Sequence, residues 1–502
     1  MLSVCFQIDR LIQYGLQRGL LMQADRVYAI NRLLAFLQVG EYEPSGEAVR
    51  EELRHPAEIL AKICDFAIES GVLPEDTQEA RDRFDTEVMN CLMPRPGEVV
   101  TTFDQLYQTE AKAATDYFYA LSRSSNYIRV DRIEKDKKWT VPTEYGELII
   151  TVNLSKPEKD PKDIAAARNA PQSGYPKCAL CRENEGFAGS ANQAPRANHR
   201  LIPVDLLGES WFLQYSPYVY YNEHCILLSS RHEPMRVSRT SLAKLLAFEE
   251  KFPHYFIGSN ADLPIVGGSI LTHDHFQGGR FEFPMAKAPV REEISFSGFS
   301  DVRAGLVNWP MSVIRLNTAD PARLLKLADK ILNAWRGYSD EDAEIRAFTG
   351  DTPHNTITPI ARRRGEAYEM DLVLRNNRTS AEHPMGIFHP HAEYHHIKKE
   401  NIGLIEVMGL AILPPRLLQE MDLLQKALAN PAEAETILQS EMMRKHADWY
   451  RELAAARIPA ADRETAVQNS IGQIFKKILE NAGVYKTDEA GRAAFRRFCE
   501  QV

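Results

Sequence analysis

The sequence predicts an α+β fold that contains a duplicated unit and has a helical region at each end. Apolar residues recur at the helical period up to about residue 94 and again beyond residue 415. Between these regions, apolar runs of strand length alternate with turns and single helices. A His-x-His pair occurs there twice, as His273-Asp-His275 and as His389-Pro-His391. Because each pair has helical and strand patterns around it, we interpret the middle of the chain as two copies of one unit.

Each segment is predicted from its local pattern. Helices are expected before Pro94 and Pro96, which interrupt the chain, and at 111–121. In the first half, strands are expected at 127–130, 147–153, 211–215, 225–229 and 255–259, and a helix capped by a hydroxyl residue at 241–252. In the second half, we expect a helix at 322–335, a strand at 368–374 and an apolar run at 402–413. The polar, proline-containing stretch at 155–162 is the best candidate for an internal boundary.

These patterns divide the chain into four predicted segments. A helical N-terminal region covers 1–125, the half with the first histidine pair covers 126–300, the half with the second covers 301–415, and a helical C-terminal region covers 416–502. A chain of 502 residues is too long for one ordinary hydrophobic core, so several structural units are expected in any case.

Composition excludes several classes of protein. The chain has 44% apolar and 26% charged residues, which is typical of a globular protein. No apolar run approaches the roughly 20 residues of a membrane span. Asp9 and Arg10 interrupt the segment that a signal peptide would need, so a cytoplasmic location is expected. The net charge of -9 argues against nucleic-acid binding, and the odd number of seven scattered cysteines argues against a disulfide framework.

The residues around the first histidine pair suit phosphate chemistry. On a strand, His273, His275 and Gln277 would project from one face. An imidazole can attack phosphorus near neutral pH without a separate strong base, and a neighbouring amide can donate to the phosphoryl oxygens. The glycine pairs at 267–268 and 278–279 would let backbone approach a phosphate closely. A lone His-x-His is more often a surface feature or a metal-binding pair, so the motif alone leaves those readings open.

Further motifs extend this pattern to much of the chain. They are Cys178-Ala-Leu-Cys181, Ser229-Ser-Arg-His232, Gly258-Ser-Asn260, Gly267-Gly-Ser269, His273-Asp-His275-Phe-Gln277, His389-Pro-His391 and Gly403-Leu-Ile-Glu406. Together they resemble the galactose-1-phosphate uridylyltransferase family of the histidine-triad superfamily, over roughly residues 125 to 415. The long helical N-terminal region and the His-Asp-His-Phe-Gln form resemble its second, mainly bacterial class. The resemblance implies two histidine-triad-like halves with antiparallel sheet.

The resemblance also implies roles for individual residues. His275 would be the nucleophile that carries a uridylyl group, and Gln277 would donate its amide to the phosphoryl oxygens. Asn260 and Ser269 would contact the nucleotide phosphates. Because an amide cannot act as a general acid or base, Gln277 would favour transfer over hydrolysis.

In the second half, the resemblance assigns further contacts with substrate. Glu406 would contact sugar hydroxyls. Independently of the resemblance, Arg375 and Arg378 of the run Arg375-Asn-Asn-Arg378 could meet phosphate. His389 and His391 would line the sugar-phosphate pocket, although a structural contact or a second metal ion remain alternatives. The run Arg362-Arg-Arg364 is interpreted as solvated surface charge.

The spacing Cys178-x-x-Cys181 matches half of a structural zinc site, and a chance pair of buried thiols is the alternative. The resemblance would add His232 and His273 as the other two ligands, although members of the family need not keep the metal. No organic cofactor is expected. The expected partners are UDP-glucose, galactose 1-phosphate and a second copy of the chain in a homodimer, with no nucleic acid and no membrane.

The leading functional hypothesis is therefore a ping-pong exchange in which a uridylyl group passes from UDP-glucose to galactose 1-phosphate. Two alternatives remain open at this stage. The first is a nucleotidyl hydrolase or dinucleoside polyphosphate phosphorylase of the same superfamily. The second is a zinc-stabilised nucleotide-binding module without catalysis.

Overall fold

The computed structural model describes residues 4–44, 51–154, 174–190, 193–268 and 270–502. The chain divides into two compact units. The first compact unit comprises Met1–Lys135, Ser155–Val219 and Glu223–Glu233, and the second comprises Asp136–Leu154, Tyr220–Asn222 and Pro234–Val502. The boundary predicted at 155–162 lies outside the described residues, and the division into four segments stays a prediction.

The helices of the described residues are as follows. They are α1 (Val4–Gln17), α2 (Arg26–Leu37), α3 (Ala57–Glu69), α4 (Gln78–Asn90), α5 (Pro96–Thr109), α6 (Ala111–Ser124), α7 (Val130–Ile133), α8 (Arg239–Lys251), α9 (Pro284–Lys287), α10 (Pro321–Gly337), α11 (Leu404–Val407), α12 (Arg416–Ala429), α13 (Pro431–Gln439), α14 (Ala447–Ala455), α15 (Arg463–Ala482) and α16 (Glu489–Gln501).

The strands of the described residues follow the same chain order. They are β1 (Lys137–Thr143), β2 (Gly146–Val152), β3 (Ile202–Leu206), β4 (Glu209–Tyr215), β5 (Cys225–Ser229), β6 (Phe256–Gly258), β7 (His275–Gly279), β8 (Val290–Ile294), β9 (Arg303–Val307), β10 (Val313–Thr318), β11 (Phe348–Thr349), β12 (Thr352–Pro353), β13 (Asn355–Arg364), β14 (Ala367–Asn376) and β15 (Leu410–Leu413).

The first compact unit consists of helices α1–α7 and the antiparallel strands β3, β4 and β5. Its helices are amphipathic, and the buried faces of α1, α2 and α3 carry residues such as Ile8, Leu33 and Ile63. Each such apolar side chain stabilises the fold by about 1.5–3 kcal/mol when it leaves water. The hydroxyl of Thr77 caps α4 by accepting the N–H of Ala80 at 3.2 Å.

The prediction of a strand at 127–130 is wrong. Val130 begins the short helix α7, and the residues before it form a turn. Arg129 donates to both carboxylate oxygens of Asp85 at 2.7 Å, and the Tyr127 hydroxyl donates to the carbonyl of Tyr215 at 3.0 Å. These bonds to partners far away in sequence fix the turn, whereas the local alternation of apolar residues had indicated a strand.

In the second compact unit, antiparallel strands pair in the order β7, β6, β13, β14, β10, β9, β8. Helix α8 packs on β13 and β6, and α10 packs on β13, β10 and β14. The Ser238 hydroxyl caps α8, as the sequence predicted of a hydroxyl residue. A separate sheet joins β1, β2 and the parallel strand β15, and α15 packs against it. A side chain at Gly472 of α15 would stand 2.4 Å from Val141 on β1, so this close approach requires glycine.

A cluster of buried charges lies within the sheet of the second compact unit. Asp371 on β14 accepts two bonds from Arg315, at 2.7 and 2.9 Å, and one from Arg362 at 2.6 Å. Burial by itself would raise the pKa of Asp371, but the two guanidiniums outweigh it and hold that pKa below its ordinary value. Arg362 is only 7% exposed, so the prediction of solvated surface charge is wrong for this residue. Its carboxylate partners, which a sequence does not reveal, bring it inside.

The predicted α+β class is confirmed by this mixture of helices and mainly antiparallel strands. The helical regions predicted before residue 125 and after residue 415 are present as α1–α6 and α12–α16. In the described part of the chain, no helix combines the length and the apolar character needed to span a bilayer.

Candidate functional site

The first histidine motif lies at the start of β7. The strand begins at His275, so His275 and Gln277 project from the same face, while His273 lies in a bend before the strand and is buried. The strand is thus shorter than predicted and leaves His273 outside. Strand β6 pairs with β7 so that Gly258 is opposite Gln277. Asn260 follows the end of β6 by two residues.

The imidazole of His275 is held in one tautomer. Its Nδ1 lies 2.8 Å from the backbone carbonyl oxygen of His273. Because a carbonyl oxygen only accepts, Nδ1 carries the proton, and Nε2 of the neutral ring keeps its lone pair. Burial lowers the pKa of His275 below its ordinary value, the bond to the His273 carbonyl opposes this, and the neighbouring His273 side chain adds to the lowering. The ring is therefore neutral and held in one orientation at neutral pH.

Asn260 and Glu406 meet at the start of α11. Oδ1 of Asn260 accepts the N–H of Leu404 at 2.9 Å, and Oε2 of Glu406 accepts the N–H of Gly403 at 3.1 Å. The other face of the Asn260 amide lies against Gly268, where a Cβ atom would stand 2.7 Å from Nδ2. The structure thus brings together two predicted substrate contacts that are 146 positions apart in the sequence.

Two buried cations stand beside Glu406, and sequence reasoning did not assign either to that place. Nζ of Lys398 lies 3.1 Å from Oε1 of Glu406. Arg375 is fully buried and donates to the carbonyl of Ile402 at 2.9 Å; burial lowers its pKa to about 10, and Glu406 acts in the opposite sense. Lys398 was missed because a Lys-Lys-Glu run is typical of a solvated surface. Arg375 was seen only as a possible phosphate contact.

Of the second histidine pair, His389 is the member that lies near Asn401 and the glycine pair at 267–268. Its Nε2 lies 3.4 Å from Oδ1 of Asn401, and Nδ2 of Asn401 donates to the carbonyl of Gly267 at 3.5 Å. Burial lowers the pKa of His389, so the ring is neutral at physiological pH. His389 therefore belongs to the same cluster of polar groups as Asn260 and the glycine pair.

His391 and Arg378 make their described contacts elsewhere. The ring of His391 stacks on His383 with centroids 4.2 Å apart, and Arg378 donates to the carbonyl of Glu344 at 2.7 Å. Their assignment to the substrate stays a prediction. Ser269, the remaining predicted contact, lies outside the described residues.

Three of the predicted zinc ligands come together in the first compact unit. Sγ of Cys178 and Sγ of Cys181 are 3.6 Å apart, and Sγ of Cys181 lies 3.2 Å from Nδ1 of His232. Two sulfurs bound to a tetrahedral zinc at about 2.3 Å would be about 3.8 Å apart, so the thiol geometry fits the metal. Burial raises the pKa of Cys178 to about 11, hence metal binding would release its proton. His273, the fourth predicted ligand, lies in the second compact unit.

Comparison with known proteins identifies the family. The model of the galactose-1-phosphate uridyl transferase N-terminal domain matches residues 20–234, and that of the C-terminal domain matches residues 248–451. The chain is 51% identical over 505 residues to the galactose-1-phosphate uridylyltransferase of Bacillus subtilis, covering 100% of this chain and 98% of that protein. It is 52% identical over 499 residues to the enzyme of the same name from Halalkalibacterium halodurans, covering 99% and 98%. The resemblance found in the sequence is confirmed: the chain belongs to the galactose-1-phosphate uridylyltransferase family of nucleotidyltransferases.

Proposed function

We propose that this enzyme transfers a uridylyl group from UDP-glucose to galactose 1-phosphate by a two-step exchange through His275. In the first step, Nε2 of His275 attacks the α-phosphorus of UDP-glucose. The bond from that phosphorus to the bridging oxygen breaks, and glucose 1-phosphate leaves with the electron pair. In the second step, a phosphate oxygen of galactose 1-phosphate attacks the same phosphorus, releases the imidazole and gives UDP-galactose.

The tautomer of His275 is the observation that carries this proposal. The bond from Nδ1 to the His273 carbonyl leaves Nε2 as the nucleophilic atom, and burial keeps the ring neutral. The ring needs no general base because it has no proton to lose at Nε2. The leaving group is already a phosphate anion, so the reaction does not require a strong acid either. A single oriented imidazole is sufficient for the chemical steps.

Neighbouring groups complete the proposed site. Gln277 projects from the same face of β7 as His275 and would donate its amide to the phosphoryl oxygens. Asn260, which follows the end of β6 by two residues, would add a second amide donor. Because amides do not transfer protons at neutral pH, they stabilise the intermediate without activating water. This supports transfer to a sugar phosphate over hydrolysis.

The carboxylate of Glu406 is the proposed contact with the sugar hydroxyls. Its ion pair with Lys398 and its bond to the Gly403 N–H fix both oxygens in place. His389, in the same cluster, is proposed to line the sugar-phosphate pocket, together with His391 and Arg378. Asn260 and Ser269 are the proposed contacts with the nucleotide phosphates.

We further propose a structural zinc ion bound by Cys178, Cys181 and His232, with His273 as the fourth ligand. The two thiols and the imidazole in the first compact unit form a donor set that zinc prefers. When bound, zinc would restrain the loop containing the two cysteines and take no part in the chemistry.

The covalent intermediate provides the decisive experiment. The protein is incubated with UDP-glucose alone, and intact-mass spectrometry followed by peptide mapping locates any adduct. We expect a uridylyl adduct on His275 that is lost in mild acid, as phosphorus–nitrogen bonds are. The variant His275→Ala should give no adduct, whereas the matched control His55→Ala should react like the parent. Absence of the adduct, or its persistence in His275→Ala, would contradict the proposal.

A chase separates transfer from hydrolysis. The labelled protein is freed of UDP-glucose and divided between galactose 1-phosphate and buffer. We expect rapid formation of UDP-galactose in the first sample and slow release of UMP in the second. Equal rates of UMP release in both samples would instead support a nucleotidyl hydrolase.

A further inference from the structure

A cavity of about 820 Å³ in the first compact unit is lined by residues of helices α2, α4, α5 and α6 and of the segment after α1. Pockets of 300–1,000 Å³ are the usual size for small-molecule sites. None of the residues proposed for uridylyl transfer lines this cavity. The N-terminal helices therefore contain a space of ligand size with no role in the proposed reaction.

Three guanidinium groups line the cavity, and none of them forms a salt bridge with another described residue. Arg32 on α2 and Arg95 before α5 are exposed, and their side chains have no hydrogen bond or ion pair with other described residues. Arg200 is 7% exposed and likewise forms no salt bridge in the described part of the chain. Three unpaired cations around one cavity favour an anionic ligand.

The position of Arg200 is the most informative of the three. Its Nε donates to the carbonyl of Pro94 at 2.8 Å, and its Nη1 donates to the carbonyls of Ala197 and His199. Nη2 has two hydrogens, and its one described acceptor is Oδ1 of Asn90 at a long 3.4 Å. A buried cation is costly unless it is paired, so this nitrogen at the cavity wall favours an incoming anion.

Three acidic groups also line the cavity, and two of them accept backbone N–H bonds in local caps. Oδ2 of Asp25 accepts the N–H of Met22 at 3.1 Å, and Oε2 of Glu98 accepts the N–H of Arg95 at 2.8 Å. A third, Glu87, accepts a long bond from Asn90 at 3.5 Å. None of these carboxylates forms a salt bridge with Arg32, Arg95 or Arg200, so the hydrogen-bond donors of the guanidiniums remain available to a ligand, although Glu98 opposes the lowering of the Arg200 pKa by burial.

The remaining lining contains apolar, aromatic and uncharged polar side chains. Tyr28 on α2 is 64% exposed, and Phe36 on α2 and Tyr117 on α6 also line the cavity. Met22, at its rim, is 72% exposed. Exposed aromatic rings beside unpaired guanidiniums suit a ligand that has a planar ring and a negative charge. We propose that this cavity binds an aromatic organic anion, a class that includes nucleotides and aromatic carboxylates.

The probe for this test is 8-anilinonaphthalene-1-sulfonate, which has fused aromatic rings and one sulfonate. Titration of the folded enzyme, followed by fluorescence, should give one saturable site. The double variant Arg32→Gln/Arg95→Gln should bind the probe about tenfold more weakly, because each lost contact with a partly solvated anion changes affinity by a few fold. The charge-matched control Arg54→Gln/Arg444→Gln, on exposed arginines outside the cavity, should bind like the parent.

Further measurements test whether the probe binds specifically to the folded cavity. Thermal unfolding of each variant must match that of the parent, because partly unfolded proteins also bind this dye. His275→Ala should leave probe binding unchanged, so failure of the proposed transfer reaction would not affect this test. Competition by AMP or by phenylpyruvate then distinguishes a nucleotide from an aromatic carboxylate as the natural source of the ligand.

Two results would overturn the proposed binding site. Probe binding that is the same in the double variant and its control shows an adventitious dye only, and overturns the proposal. The proposal is also overturned if the parent does not bind the probe while Arg32→Gln/Arg95→Gln changes the sedimentation coefficient from dimer to monomer. In that case the surface around Tyr28 is an interface between two copies of the chain.

Discussion

Replacing Glu249 by Gln should stabilise the protein near neutral pH, and the gain should grow as the pH rises. Glu249 lies on α8 and is fully buried, and neither of its carboxyl oxygens has a hydrogen-bond partner among the described residues. Burial raises the pKa of this carboxyl from 4.5 to about 8, although Arg363 and Arg362 act in the opposite sense. The side chain is therefore mostly protonated in the folded protein at pH 7.

The direction of the pH effect on stability follows from the protonation of Glu249 in the folded and in the unfolded chain. Below pH 4.5 the carboxyl is protonated in the folded and the unfolded chain, so it does not change stability. Between pH 4.5 and pH 8 the unfolded chain loses the proton and the folded chain keeps it, which favours unfolding. At about 1.4 kcal/mol per pH unit, the loss of stability reaches about 3 kcal/mol at pH 7 and about 4 kcal/mol at pH 8. Gln cannot ionise and escapes this loss.

Calorimetry between pH 5 and pH 8.5 provides the assay. An unfolding entropy of about 2 cal/mol/K per residue converts 4 kcal/mol into a rise in Tm of about 4 °C for a chain of this length. The matched control is Glu250→Gln, the exposed neighbour, which accepts a bond from the Tyr368 hydroxyl at 3.1 Å. Its Tm should track the parent at every pH. A Tm difference for Glu249→Gln that does not vary with pH, or a loss of Tm at pH 8, would refute the reasoning.

Three other predictions concern the buried charges, the transfer site and the metal. Asp371→Asn leaves Arg315 with only a 3.9 Å contact to Glu369 and leaves Arg362 with Glu369 as its one buried carboxylate among the described residues, so it should lower the free energy of unfolding in urea by about 3–5 kcal/mol. Asp329→Asn, at a surface pair, should cost under about 1 kcal/mol, and equal effects would contradict this. Gln277→His introduces a group that can transfer protons, so the ratio of UMP to UDP-galactose should rise in product chromatography, and an unchanged ratio would argue against a role for the amide. Zinc analysis should give one ion per chain, and dialysis against phenanthroline or Cys178→Ser should remove it and lower the Tm; an untreated protein without zinc would disprove the metal site.

The local placement of several proposed site residues could be predicted because it depends on short stretches of sequence. The spacing of His275 and Gln277 places both on one face of a strand wherever that strand lies in the fold. The two cysteines at 178 and 181 are close because only two residues separate them. Helices such as α10 and strands such as β14 follow from local periodicity. Location and self-association, in contrast, stay predictions.

Contacts between groups that are far apart in the sequence depend on the tertiary structure and could not be predicted. Asn260 caps the backbone of Leu404, Lys398 pairs with Glu406, and Arg362 is drawn inside by Asp371. In each case the sequence shows a polar residue, but its burial depends on a partner that only the folded chain brings within hydrogen-bond distance.

Features that could be predicted and features that could not differ in whether they depend on neighbours along the chain or in space. Backbone periodicity and short motifs depend on neighbours along the chain, so most α+β elements, the position of the histidine motif and the cysteine pair could be read from the sequence. Desolvation and ion pairing depend on neighbours in space, so the tautomer of His275, the cations beside Glu406 and the arginine-lined cavity among the N-terminal helices emerged from the folded chain.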